Sequence, residues 1–312
     1  MTNAARSPSG RPILVTGSHR SGSTWVGKTL ANAPEVGYLR EPFGVHHRRG
    51  VLDVDFPYWF PYICPENEAP YLRPMRDMLG YRYRTGAGLA SARSPRDVAL
   101  VAHDRREFAR FRRGRARPLL KDPIAVFSAE WIADRFDAQV IALIRHPAAF
   151  ASSLKKYDWT HPFGDFLAQP LLMRDLLASY TGDVERLAGE EHEIIDQAIL
   201  LWNLIHAAIE TYRERRKDWF FARHEDLSRE PVEGFRSMFA SVGVPFSTRT
   251  EGAIARSTGS DNPAEVTDAG VLARDSRAGI WTWKARLSPE EIERVRTGTD
   301  PLWRAFYTDE DW

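Results

Sequence analysis

One guanidinium and three hydroxyls, from Arg20, Ser21, Ser23 and Thr24, crowd around Gly22 in the stretch RPILVTGSHRSGSTW, residues 11–25. Side chains of these types bind an anion: the guanidinium pairs with phosphate or sulfate, the hydroxyls donate, and glycine lets the backbone approach closely. The flanking residues predict how the set is held. Pro12 to Thr16 is a short apolar, β-branched run that reads as a buried strand. From Ser23 onward TWVGKTLAN is helical in pattern, with Trp25, Val26 and Leu30 spaced for one face. A strand, a small-residue loop and a helix start aim free N–H groups and the positive end of the helix dipole into the loop.

Further chemistry-bearing residues fall at other strand ends. A second strand predicted over Glu35–Leu39 delivers Arg40-Glu41-Pro42-Phe43. Ligands of open parallel sheets bind at the carboxyl edge, so Glu41 is expected to face the same crevice as the loop. The strand PLLK ends at Lys121, and QVIALI (139–144) ends at Arg145-His146-Pro147, where a helix is expected to run to about Tyr157. Arg145 and Ser153, eight residues apart, form a second anion site only where that strand–helix joint folds back.

The letters Gly22-Ser-Thr-Trp-Val-Gly27-Lys28-Thr29 also match the Walker A pattern. The match begins five residues after the strand and runs into the expected helix, so the loop in proper register is Gly17–Thr24, with Ser23 where the Walker lysine would stand.

Composition bounds the reading. The chain has 312 residues, 43% of them hydrophobic, and a formal charge of +1. These figures suit one large α/β domain and provide no global field toward nucleic acid or an anionic membrane. A single cysteine, Cys64, excludes an intrachain disulfide and a cysteine-based zinc site. No secretory leader or membrane-length apolar run is present, so a cytoplasmic protein without a membrane span is expected.

The remaining pattern alternates strand and helix, which argues for a parallel sheet. Residues 1–10 read as a flexible tail and 11–312 as one domain. Residues 44–117 read as an acceptor-side insertion, whose first part (44–74) has no clean period and offers Tyr58, Trp59, Phe60 and Tyr62. Pro95–Phe111 is expected to be helical, RRGRAR (112–117) a solvated turn, and Ala125–Phe136 an amphipathic helix. Leu171–Lys217 is expected to form helices broken near Gly182 and Gly189, followed by a strand at Trp219–Ala222 and a helix at Pro231–Val242. Asp261–Ile280 is expected to be irregular, and Ser288-Pro-Glu-Glu291 to start the last helix.

Taken together, the residues resemble the sulfotransferases that use 3′-phosphoadenosine 5′-phosphosulfate (PAPS). GSHRSGSTW resembles their 5′-phosphosulfate loop, LIRHPAAFASS their 3′-phosphate motif, and YLREPFG the Glu-Pro segment of carbohydrate-type members. LLKDP resembles a lysine segment of the tyrosylprotein branch, FFARHEDLSREP the YEDL segment, and DSRAGIWTWK with LSPEE the C-terminal segment that closes over the nucleotide. The resemblance implies an α/β, P-loop-like three-layer fold with a central parallel sheet flanked by helices. It implies transfer of a sulfuryl group from PAPS to an acceptor hydroxyl, with 3′-phosphoadenosine 5′-phosphate (PAP) as product and no metal. The Glu-Pro segment tilts the acceptor toward a carbohydrate or glycosylated small molecule.

Carried over by resemblance, Arg20, Ser21, Gly22, Ser23 and Thr24 hold the 5′-phosphosulfate, and Trp25 stacks on adenine or packs in the core. Arg145 and Ser153 hold the 3′-phosphate, with Arg277 a weaker contact. His224 stands where the family usually has Tyr. Glu41 is the expected base, with His46 and His47 as alternatives. Lys121 or Arg20 neutralises the bridging oxygen, unless Lys121 is a structural partner of Asp122. The competing readings are a P-loop kinase using ATP and Mg²⁺ through Lys28, and a nucleotide-binding protein without turnover. Oligomeric state is not legible.

Overall fold

The computed structural model describes residues 10–189, 192–264 and 273–312. The N-terminal tail and much of the irregular 261–280 stretch expected from sequence therefore lie outside the described residues.

Five parallel strands form the centre. β1 (Ile13–Gly17), β2 (Val36–Arg40), β3 (Arg117–Lys121), β4 (Gln139–Ile144) and β5 (Phe220–Arg223) lie in the order β2-β3-β1-β4-β5. The register places Ile13 beside Leu119 on one side and Gln139 on the other. Each strand is short and apolar, as strands covered on both faces are. Alternation divides them: Ile13, Val15, Leu119, Ile141 and Leu143 enter one core, whereas Leu14, Leu120, Val140 and Ile144 enter the other.

The helices follow the chain on both faces. α1 (Ser23–Leu30) links β1 to β2, and α2 (Ala69–Leu79), α3 (Thr85–Ser91) and α4 (Pro95–Arg113) precede β3. α5 (Ala129–Phe136) precedes β4, and α6 (Pro147–Tyr157) follows it. α7 (Gly164–Leu167), α8 (Pro170–Asp175), α9 (Thr181–Gly189) and the long α10 (Ile194–Arg215) lead to β5. α11 (His224–Arg229), α12 (Pro231–Ser241), α13 (Thr248–Thr258) and α14 (Pro289–Gly298) complete the α/β architecture.

Several boundaries differ from expectation for local reasons. Asp122 accepts from the Ile124 N–H at 2.9 Å, which starts a 3₁₀ turn over Pro123–Ser128 before α5. Gly182 lies inside α9; the chain breaks earlier, between α8 and a 3₁₀ turn at Ala178–Tyr180. Arg117, expected in a solvated turn, is a buried residue of β3 whose guanidinium donates to the carbonyls of Arg11 and Val242 and to Gln139. α14 begins with the expected capping box, Ser288 with Glu291.

Candidate active site

At the carboxyl ends of β1 and β4 the chain turns sharply. Gly22, the N-cap of α1, has φ 86°, a left-handed conformation that disfavours side chains. A Cβ there would stand 2.5 Å from His224 Nδ1, so the loop closes on His224 only with glycine at this position. His224 Nδ1 in turn lies 3.1 Å from the Ser21 carbonyl, and burial holds its pKa well below the ordinary histidine value. Arg20 (φ 63°) and Glu41 (φ 47°) also occupy left-handed backbone, a cost of about 1 kcal/mol or more each for residues with a Cβ.

The loop borders a crevice of about 350 Å³. Among the described residues its lining carries the cations Arg20, Arg145, Lys156, Arg274 and Arg286 and a single carboxylate, Glu41. Gly22, Ser23, Thr24, Trp25, Ser153 and His224 also face it. Ser21 does not: its hydroxyl turns inward to the Ser18 carbonyl. Trp25 packs edge-on against Phe235, with ring centroids 4.9 Å apart, while still bordering the crevice. Arg277, expected here, lies outside and pairs with Glu230 at 2.7 Å. Arg274 and Arg286 stand in the crevice instead, a substitution that a loosely patterned arginine-rich segment did not reveal.

The joint between β4 and α6 does fold back, so that Arg145 and Ser153 line the same crevice. Arg20 Nε donates to Ser153 Oγ at 2.9 Å, and its guanidinium lies 4.5 Å over the Tyr157 ring. Arg145 is braced from behind. Its Nε lies 3.5 Å from Glu225 Oε1, and Glu225 Oε2 accepts from the Tyr307 hydroxyl at 2.8 Å. The Trp202 indole N–H donates to the Arg145 carbonyl at 2.8 Å. Arg145 Nε is buried on the Glu225 side, while the residue itself borders the crevice. Glu225, Trp202 and Tyr307 went unidentified in sequence, because their spacing from Arg145 carries no local signal.

Glu41 meets Lys121, the fully buried last residue of β3. Lys121 Nζ also donates to Thr24 Oγ1 at 3.1 Å. Burial lowers the Lys121 pKa while the Glu41 charge opposes the shift. Lys121 is thus no partner of Asp122, whose carboxylate accepts from Phe43 and Ile124 N–H groups and is pushed up to about 7 by burial. The lysine stem passes beneath α1 where Gly27 leaves room: a Cβ on Gly27 would lie 2.8 Å from Lys121 Cγ. Lys28 falls in the last turn of α1 and is not among the residues bordering the crevice, so the Walker register does not build the site. Neither alternative base borders it: His46 is exposed, and both ring nitrogens of His47 are engaged by the Gly44 and Leu52 carbonyls.

The other wall is aromatic. Trp59, Tyr157 and Trp159 border the crevice beside Pro123 and Ile124. Of the four rings singled out in the 44–74 segment, only Trp59 is there. Phe60 is buried against His19, Phe127 and Phe166, and Tyr62 donates to Asp175 at 2.9 Å. Tyr58 does not border the crevice.

No curated protein matches the chain. Among solved structures, the sulfotransferase domain from the Synechococcus PCC 7002 olefin synthase is 18% identical (94% of this chain and 97% of that chain covered, TM-score 0.44). Mouse sulfotransferase SULT7A1 complexed with PAP is 13% identical (96% and 86% covered, TM-score 0.47). Sulfotransferase STF9 from Mycobacterium avium is 16% identical (97% and 78% covered, TM-score 0.45). The family model described as "Sulfotransferase family" matches residues 12–248, well over half of the sequence, and the chain therefore belongs to the sulfotransferase family.

Proposed function

We propose that residues 11–312 act as one catalytic domain that transfers a sulfuryl group from PAPS to an acceptor hydroxyl. The observation that carries this reading is the convergence, among the described residues, of five cations and a single carboxylate on one crevice beside a helix N-terminus. Such a lining fits a donor with anionic groups at both its 5′ and 3′ ends, and Arg145, held by Glu225 and bordering the crevice, supports a phosphate at one end of it.

In this reading Arg145 and Ser153 bind the 3′-phosphate, with Arg274 and Arg286 as further cations. Arg20, Ser23, Thr24 and the first N–H groups of α1 bind the 5′-phosphosulfate, and Gly22 admits it. Bound PAPS supplies an activated sulfuryl group whose leaving group is a phosphate oxygen. Glu41 takes the proton from the acceptor hydroxyl as the new O–S bond forms and the S–O bond to that phosphate breaks. Lys121 and Arg20 stabilise charge growing on the departing oxygen. Trp59 and Trp159 offer flat apolar faces to the acceptor. Together with the Glu-Pro segment, they support a carbohydrate or glycosylated small molecule.

Calorimetric titration with PAP, set against ATP with Mg²⁺, tests the proposal. Micromolar PAP binding, weakened about a hundredfold by Arg145→Ala and unchanged by Glu41→Gln, is expected, since loss of a charged hydrogen-bonding partner from a buried site costs about 3 kcal/mol. Tight ATP binding with indifference to the 3′-phosphate would reject it.

A further inference from the structure

Six large apolar side chains are exposed among the described residues. Tyr157 and Trp159 border the crevice, and Trp281 lies beneath Lys284, 4.4 Å from its ring centroid. The other three are Leu89 (48% exposed) on α3 and, in the first turns of α4, Val98 (49%) and Leu100 (38%), the last turned about 200° round the helix from Val98. The two helices pack closely, since a Cβ on Gly88 would lie 3.2 Å from Val101.

Charge concentrates in the same place. Residues 85–115 hold eight arginines and three carboxylates, a net +5, whereas the other 281 residues hold 35 basic and 39 acidic side chains, a net −4. The overall +1 therefore conceals one strongly cationic segment. Two of its three carboxylates are already engaged: Asp104 pairs with Arg48 and Glu107 with Arg110. Asp97 caps α4 through the Arg93 N–H. On the outward stripe Val98, Ala102, Arg105, Ala109 and Arg112 recur at helical spacing, flanked by Arg106 and Arg113. Small alanines between arginines leave the cations with no carboxylate neighbour along that stripe.

We propose that the α3–α4 face docks this protein reversibly on an anionic lipid surface. Each basic side chain near such a surface contributes about 1 kcal/mol, and a few exposed apolar side chains add insertion into the headgroup boundary. A basic helix face with exposed apolar side chains needs no shaped complement in a lipid interface, unlike the close fit of a protein partner. Apolar side chains among the arginines are equally foreign to a surface that reads phosphates alone.

Cosedimentation with vesicles tests the proposal on the full-length protein. Binding to vesicles containing phosphatidylglycerol, absent with phosphatidylcholine alone and weakened by salt, is expected. Arg105→Glu with Arg106→Glu should weaken it at least tenfold, the equivalent of 1.4 kcal/mol. Leu89→Ser with Val98→Ser should also weaken it, at unchanged charge. All these positions are exposed, so the thermal midpoint and PAP binding should stay as in the parent and show that the variants fold. No binding of the parent protein overturns the proposal. So does binding indifferent to the serine pair, or equal capture by duplex DNA or polyglutamate, which would reassign the patch to a soluble polyanion or an acidic protein.

Discussion

The wall of the crevice that carries Arg145 is built from strand ends, whereas the wall that carries Trp59 hangs on a segment, residues 42–68, with no helix or strand. On the first wall each functional group has a fixed support: Gly22 against His224, Arg145 against Glu225, Lys121 beneath Gly27. On the second wall support comes from rings. Phe43 stacks on Phe56 and Phe56 on Tyr71, and Phe60 fills the core beneath His19, leaving Trp59 turned to the crevice. The difference teaches that binding of anions is prescribed by backbone turns and ion pairs, and the shape offered to an acceptor by which aromatics the core takes up.

Acidification should weaken both walls, and with the largest effect. Burial pushes His146, His206, His19 and His161 down to about 3 and His224 well below its ordinary value. The first two and His224 back the anion wall; His19 and His161 touch Phe60. Each is neutral when folded and takes up a proton on unfolding below its unfolded value near 6.5, so its contribution is lost as pH falls from there toward 3. From about pH 7 to 5.5 each should remove roughly 1 kcal/mol. Asp122 works in the opposite sense: raised to about 7, it favours the fold as pH falls through that value. Urea unfolding should show a net loss of several kcal/mol, and a flat profile over this range would remove the histidines from the account.

The aromatic wall divides within itself. Phe60→Ala should cost about 3–5 kcal/mol of stability, as deletion of a buried ring does. Trp59→Ala should leave the denaturation midpoint nearly unchanged and leave PAP affinity intact, while raising the acceptor KM. Equal effects from the two neighbours would mean that the segment's conformation is not set by Phe60.

These contrasts explain what was legible in the amino-acid sequence. β4 and α6 were read to their observed ends, because QVIALI is a continuous apolar run and Pro147 and the residues after it carry a helix signal. The loop from Gly17 to Thr24 was readable for the same reason: its demands are local. The bracing of Arg145 was not. Glu225 and Tyr307 lie 80 and 162 residues beyond it, and only the closed sheet and the returning C-terminal segment join them. Arg277 rested on the resemblance of its segment, which cannot tell which arginines of that segment turn inward; Arg274 and Arg286 do. The four rings of the aromatic stretch looked equivalent because no period sorts them, and burial is a property of the assembled core.

A smaller effect tests the fit beneath α1. Gly27→Ala would press a methyl against the Lys121 stem, 2.8 Å from Cγ. The lysine must shift and carry its contacts to Glu41 and Thr24 with it, so kcat should fall, by as much as about a hundredfold for a displacement near 1 Å. PAP affinity should fall far less, because Arg145, Arg274 and Arg286, the cations assigned to its 3′ end, lie elsewhere. A parallel loss of PAP binding would show that the Lys121 side and the Arg145 side are one unit rather than two.

The mildest change probes the brace itself. Tyr307→Phe deletes one hydroxyl, leaving Glu225 Oε2 buried without its 2.8 Å donor. An unsatisfied buried acceptor costs about 1–3 kcal/mol, and Glu225 can recover part of that by swinging toward Arg145, which is the group it already faces. A guanidinium drawn onto Glu225 is less available to a phosphate, so PAP affinity should fall several-fold while kcat at saturating donor stays unchanged. General loosening of the fold would produce a different pattern. It would weaken every nucleotide alike, whereas a displaced Arg145 weakens only those with a 3′-phosphate. Adenosine 5′-phosphosulfate, which lacks that group, should therefore bind Tyr307→Phe as it binds the parent. If both ligands weaken together, the hydroxyl supports the core and not the arginine.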